Sequence, residues 1–256
     1  MSMPAVKNVA LVLLATTAWR AEAAPAPEVP PSEIHAGVRA MQPGDIQEDI
    51  VMEGLHETGR TATPQSRKLW PGGVIPYTID YALLTPEILG IIKGAMDHIE
   101  KETCLRFVRR NDHIDYVHLV SKEGCYSFLG RIGGRQPVSL GHGCLYHGTV
   151  THELMHAVGF FHEHTRPDRD RYIEVFPKNI IKEFLPQFQK LDPEDALLLT
   201  PFDYDSVMLY GSDSFTRDPN RPSMLAKDGS RLKEVYDKNG PSSSDFRRIS
   251  KLYKCR

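Results

Sequence analysis

The sequence predicts an α+β fold, with strands and two helices in the first part of the folded unit and a second part that is largely irregular. Three observations carry that expectation. Strand-type runs and two helical-period runs crowd together between Gly73 and Phe161. Beyond Phe161 the chain is mostly irregular, apart from one late helical pattern near Asp245 to Tyr253. All ten Phe, all ten Tyr and all four Cys lie after Arg60, so the folded unit is expected to begin near Leu69-Trp70. With 256 residues, 41% apolar and 25% charged side chains, the chain can bury a real core, and collagen, coiled-coil and low-complexity readings are excluded.

The elements follow in order. Gly73-Val74-Ile75-Pro76-Tyr77-Thr78-Ile79 reads as a strand, and Pro76, which has no N–H to give a ladder, marks it as edge-like. Thr85-Pro86 supplies an N-cap and a first-turn proline. Ile88, Ile91, Ile92, Ala95, Met96 and Ile99 then recur at helical spacing, which predicts an amphipathic helix from about 86 to 102. Leu105 to Val108 and Tyr116 to Val120 are short β-type runs, and the glycine-rich stretch Gly124 to Gly143 holds one strand candidate, Val138-Ser139-Leu140. Gly148 to about Phe161 reads as a second helix. The late helix turns Phe246, Ile249, Leu252 and Tyr253 inward, and no internal repeat occurs.

Ahead of this unit, Lys7 precedes the apolar run Val9 to Ala18, and Ala21-Glu22-Ala23 offers small residues for cleavage. That is the pattern of a secretory signal peptide over residues 1–23, and the run is about half of the ~20 residues that a membrane span needs. Residues 24–60, rich in proline and acidic side chains, fit a removable pro-segment, the alternative from composition being a disordered linker with no role, and leave 61–256 as the folded domain. In a secreted protein the four cysteines are expected as two disulfides, for which three pairings exist. Thirty-one basic against 33 acidic residues give a net charge of -2, which argues against nucleic acid or an anionic membrane as partner. No Asn-x-Ser/Thr acceptor is present, so N-glycosylation is not expected.

The chemistry is concentrated in His152-Glu153-Leu154-Met155-His156-Ala157-Val158-Gly159-Phe160-Phe161-His162. On a helix, His152 and His156 stand one turn apart on one face, so both imidazoles reach one ion, while Glu153 is ~100° round from His152. Gly159 can take the positive φ that ends the helix and lets His162 return as a third ligand. Three neutral imidazoles with an open fourth position suit one catalytic Zn²⁺ per chain. Glu153 can then take a proton from the metal's water and pass it to a leaving amine. A chance match to these five positions is expected on the order of 10⁻⁴ times per chain. His142, His147 and His164 lack metal spacing and read as structural.

At these residues the chain resembles the astacin family of zinc metalloendopeptidases, a peptidase family within the metzincins, over roughly Leu69 to Cys255. The run His162-Glu163-His164-Thr165-Arg166-Pro167-Asp168-Arg169-Asp170 stands where the family continues its zinc motif, and Ser206-Val207-Met208-Leu209-Tyr210 looks like its Met-turn. The resemblance implies a two-lobed zincin fold around a cleft, with Met208 as the floor beneath the metal. It makes Tyr210 a mobile zinc ligand that swings to stabilise the oxyanion; from the residues alone, Tyr210 is as readily core or rim. It pairs Cys104 with Cys255 and Cys125 with Cys144, the first closing a loop of about 150 residues worth ~4 to 5 kcal/mol.

The resemblance also implies a zymogen. Gln42-Pro43-Gly44-Asp45 departs from the family's Phe-x-Gly-Asp in lacking the Phe, and Asp45 is the corresponding pro-segment ligand for the zinc. Family spacing counted back from Trp70 reaches Thr61, so a trypsin-like protease is expected to cut at Arg60-Thr61, rather than at Arg67 or Lys68, and to free an ammonium that pairs with Glu163. The chain resembles single-domain arthropod and arachnid members, without the family's C-terminal adhesion modules. The expected protein is a secreted, extracellular monomer that cleaves extended peptide or protein substrates. A catalytically silent binding protein is disfavoured by the intact Glu153, and a structural zinc module by the lack of Cys in the motif.

Overall fold

The computed structural model describes residues 50–51, 68–193 and 196–256. The signal peptide, Asp45 and the Arg60-Thr61 bond therefore lie outside the described residues. Six strands form one sheet in the order β1-β5-β6-β4-β2-β3, where β1 is Ile50–Val51, β2 Val74–Ile79, β3 Arg106–Arg109, β4 Tyr116–Val120, β5 Cys125–Phe128 and β6 Arg135–Leu140. All neighbours run parallel except β5 and β6. Helix α1 (Pro86–Glu102) starts where Thr85 Oγ1 accepts from Ile88 N at 3.3 Å, and its buried residues are Ile92, Ala95, Met96 and Ile99.

Two expectations are corrected. Strand β2 is internal, with β3 on one side and β4 on the other. Pro76 stands opposite Val108 of β3, and pairing with β4 begins only at Tyr77, so the proline sits where its strand has one neighbour. Helix α2 covers His147–Val158, ending three residues before the expected Phe161 because Gly159 takes φ 122°. The sequence offers no clear strand signal at Cys125–Phe128, nor at β7 (Ile173–Val175) and β8 (Met224–Ala226), which pair antiparallel in the second lobe. The late helix α3 spans Ser243–Tyr253 and begins with a capping box, Ser242 and Asp245 each satisfying the other's backbone N–H.

Two cores result. The first joins Ile75, Val117, Leu119, Val138 and Leu140 of the sheet to α1, to Val150, Leu154 and Met155 of α2, and to Ile249 and Leu252 of α3. The second gathers Ile173, Ile180, Phe188, Leu209, Tyr210, Phe215 and Met224. The turn 206–209 is the seam, since Val207 and Met208 belong to the first core while Leu209 and Tyr210 belong to the second. Disulfides join Cys104 to Cys255 and Cys125 to Cys144, closing separations of 151 and 19 residues. The longer one fastens the segment after α1 to the end of α3, which removes more freedom from the unfolded chain.

Candidate functional site

Every residue of α2 after His147 is buried, so the helix is held on all sides. A Cβ on Gly148 would collide with the carbonyls of Val235 and Lys238, which is why the first turn can lie against that segment. At the other end the orphan carbonyls are answered one by one. His156 O accepts from Gly159 N and Gly130 N, Ala157 O from Trp70 Nε1 at 2.8 Å, and Val158 O from Tyr253 Oη at 2.8 Å. With its end secured, the chain reverses at Gly159 and delivers His162 beside His152 and His156.

The three imidazoles converge. The Nε2···Nε2 separations are 3.0 Å for His152–His156, 3.1 Å for His156–His162 and 3.3 Å for His152–His162. Nitrogens ~2.0 to 2.1 Å from one tetrahedral ion stand ~3.3 Å apart, so the triangle has the size of one face of a zinc tetrahedron. His152 Nδ1 lies 2.8 Å from Val207 O and His156 Nδ1 2.7 Å from Phe160 O. A carbonyl only accepts, so each Nδ1 carries the proton and each Nε2 turns a lone pair inward. Two such lone pairs turned toward each other and toward His162 Nε2 repel unless a cation lies between them, and the donor set fits Zn²⁺. Among the described residues this is the one cluster of three or more metal-ligating side chains.

The other candidates surround it. Glu153 is buried in α2 beside His152. Met208 is fully buried, and its carbonyl accepts from Glu163 N at 2.8 Å, binding the turn to the residue after the third imidazole. The Tyr210 ring centroid is 4.4 Å from that of His162 and 5.9 Å from that of His152. His164 packs at 4.3 Å on Tyr210 and its Nε2 lies 3.0 Å from Gln187 O, so it joins the rim of the site without joining the triangle. His142 is exposed, and His147 faces His98 at 3.4 Å.

Glu163 has companions that the sequence did not disclose. Its Oε1 accepts from Arg248 Nη2 at 2.6 Å, Asp203 N at 2.9 Å and Arg166 Nη1 at 3.0 Å. Burial pushes its carboxyl upward, and the two guanidiniums pull against that. A cavity of about 10 Å³ beside it, lined by Phe160, Arg166, Arg248 and Leu197 to Leu199, has room for one water-sized group. Arg248 also reaches Asp245 Oδ1 at 3.3 Å, and Asp245 in turn accepts from Ser206 Oγ and Val207 N. No signal in the sequence links Arg248, Asp245 or Lys238 to the motif, because only folding brings α3 beneath the turn.

Comparison with known proteins agrees with this geometry. The family model for the astacin peptidases matches residues 62–254. The chain is 40% identical over 223 residues to Astacin-like metalloprotease toxin 1 of Loxosceles intermedia, covering 86% of this chain and 82% of that protein. It is 40% identical over 207 residues to Zinc metalloproteinase nas-4 of Caenorhabditis elegans, covering 80% of this chain and 65% of that protein. High choriolytic enzyme 1, a hatching-enzyme zinc protease of Oryzias latipes, superposes with a TM-score of 0.67 at 42% identity, over 75% of this chain and 92% of that structure. Myroilysin, at 18% identity and a TM-score of 0.52, shares the fold alone. With the inward-facing imidazole triangle and a family match over residues 62–254, this chain belongs to the astacin family and is a zinc metalloendopeptidase.

Proposed function

We propose that the protein is a secreted, monomeric zymogen that cleaves extended peptide segments, with His152, His156 and His162 holding one zinc, Glu153 as general base and Tyr210 as oxyanion donor. The observation that carries this reading is the triangle of inward Nε2 atoms, two of them on the helix that also bears Glu153. Zinc held there supplies Lewis acidity and brings a water's pKa down to ~7. Glu153 accepts the proton of the attacking water and returns it to the leaving amine. The Tyr210 hydroxyl donates to the charge that develops on the scissile oxygen, and Met208 keeps the floor beneath the imidazoles apolar. An extended substrate pairs with the sheet through the β5 edge, where main-chain hydrogen bonds supply affinity.

Latency is supported by what lies on that edge. Ile50 and Val51, from the segment read as pro-sequence, pair with Ser127 and Phe128 of β5. Ile50 is 9% exposed and packs with Leu129 and with Phe161, the residue before His162. The pro-segment thus takes the place of a substrate strand, with Asp45 as a further ligand at the zinc. A trypsin-like cut at Arg60-Thr61 then frees an ammonium for the small cavity beside Glu163. Secretion is supported by the N-terminal signal pattern and by the two disulfides.

The test is Glu153→Gln, which keeps the shape of the side chain and deletes its proton acceptor. Peptide turnover is expected to fall at least ~10²-fold with zinc content unchanged. A variant that keeps more than about a third of the parent rate refutes Glu153 as base. N-terminal sequencing of the active species reads the maturation site. Thr61 is expected, and a start at Lys68 or Leu69 removes the Glu163 mechanism.

A further inference from the structure

We propose that Lys238 is a positioning residue for Tyr210, its ammonium clamping the two ends of the 206–209 turn where the lobes meet. This rests on the reading of Tyr210 as oxyanion donor. Lys238 is 5% exposed, and its Nζ donates to Ser206 O at 2.8 Å and to Leu209 O at 2.5 Å. Those carbonyls bracket the turn, which Leu209 N closes onto Ser206 O at 3.1 Å. Leu209 O belongs to the same rigid peptide plane as Tyr210 N, so holding it sets the point from which the Tyr210 side chain departs. The opposite side of the turn is gripped by Asp245, which takes Ser206 Oγ–H at 2.7 Å and Val207 N–H at 2.9 Å.

A buried ammonium is a costly way to fill this space. An apolar side chain of the same length is commonly as stable or more so, because it leaves no charge to desolvate. Here burial lowers the Lys238 pKa to about 8 against the pull of Asp245, Glu234, Asp203 and Asp205. What the ammonium supplies and a methyl group cannot is direction, with two carbonyls held at fixed angles across the seam. Val207 O, the partner of His152, lies between the clamped carbonyls, and its own peptide is separately fixed through Val207 N. Loss of Lys238 should therefore loosen Tyr210 while leaving the zinc in place.

The experiment compares Lys238→Met, Tyr210→Phe and the double variant in the activated, zinc-loaded enzyme. Tyr210→Phe should lower kcat ~10²-fold, and Lys238→Met about tenfold with KM within about twofold and zinc content unchanged. In the Tyr210→Phe background, Lys238→Met should cost less than about twofold more, because residues acting as a unit are not additive. Should Lys238→Met prove too unstable to purify, Lys238→Arg serves, since a planar guanidinium cannot reproduce one nitrogen on both carbonyls and should lower kcat about threefold with the same loss of effect in Tyr210→Phe. Losses that multiply in the double variant, loss of zinc, or a change confined to KM overturn the role of Lys238. An unchanged kcat in Tyr210→Phe refutes the oxyanion reading first, and this role with it.

Discussion

Replacing Ile50 with Ala should make the uncut chain leak activity. Ile50 is 9% exposed, and its side chain closes a cluster with Leu129 and Phe161, both buried, and Leu191. The described strand around it offers only two residue pairs, Ile50 with Ser127 and Val51 with Phe128, so side-chain burial carries much of its hold on the edge. Trimming three carbons from a nearly buried isoleucine costs ~2 kcal/mol, toward the low end for Ile→Ala because the site lies at the rim of the sheet. At 1.4 kcal/mol per decade, that raises the share of chains with the β5 edge open by ~30-fold. Hydrolysis of a quenched peptide by full-length Ile50→Ala, with serine-protease inhibitors present and intact mass checked, should rise by that order. Once cut at Arg60-Thr61, variant and parent should be equal, since residue 50 is gone from both. An uncut variant within about twofold of the parent's residual rate refutes the edge strand as the source of latency.

Activity should also fall on the acid side as zinc leaves, because His152, His156 and His162 ligate only when neutral. Added zinc should move that limb to lower pH, and a limb that stays fixed excludes ligand protonation as its cause. Lys238 makes a prediction about stability at high pH. Its folded pKa of about 8 lies below the ~10.4 of an unfolded lysine, so between those values the unfolded chain binds more protons and stability rises with pH. Parent minus Lys238→Met stability, from urea unfolding at pH 8 and pH 10, should increase by at most ~3 kcal/mol. A difference that stays flat or falls excludes a depressed lysine there.

The zinc motif was legible because its spacing is local. One turn of helix puts His152 and His156 on one face, and a glycine ends that turn, so the sequence alone carries the geometry. Helix α1 was legible for the same reason, as Thr85, Pro86 and a run of spaced isoleucines act within a single element. Strand β5 was not, because four residues beside several glycines show no clean alternation, and their strand character comes from β1 and β6. Pro76 misled because an edge was inferred for a whole strand when one neighbour begins a residue later. The charged-group contacts under the turn, from Lys238, Asp245 and Arg248 to residues 29 to 85 positions away, leave no periodic trace at all. Charged residues in a long irregular stretch look like surface until the fold buries them.

The caps on α2 bear on the order in which the protein can be made. Trp70 is synthesised before the helix whose Ala157 carbonyl it covers, but Tyr253, which covers Val158 and also receives Trp70 N at 3.4 Å, comes 95 residues after that carbonyl. Cys104 likewise waits 151 residues for Cys255. On a growing chain, the sheet, α1 and α2 can all have emerged while the last carbonyl of the ligand-bearing helix, that of Val158, still lacks its cap. The last turn of α3 therefore supplies the final cap of the helix that carries His152 and His156, and a nascent protease of this design stays unfinished until almost all of the domain has left the ribosome.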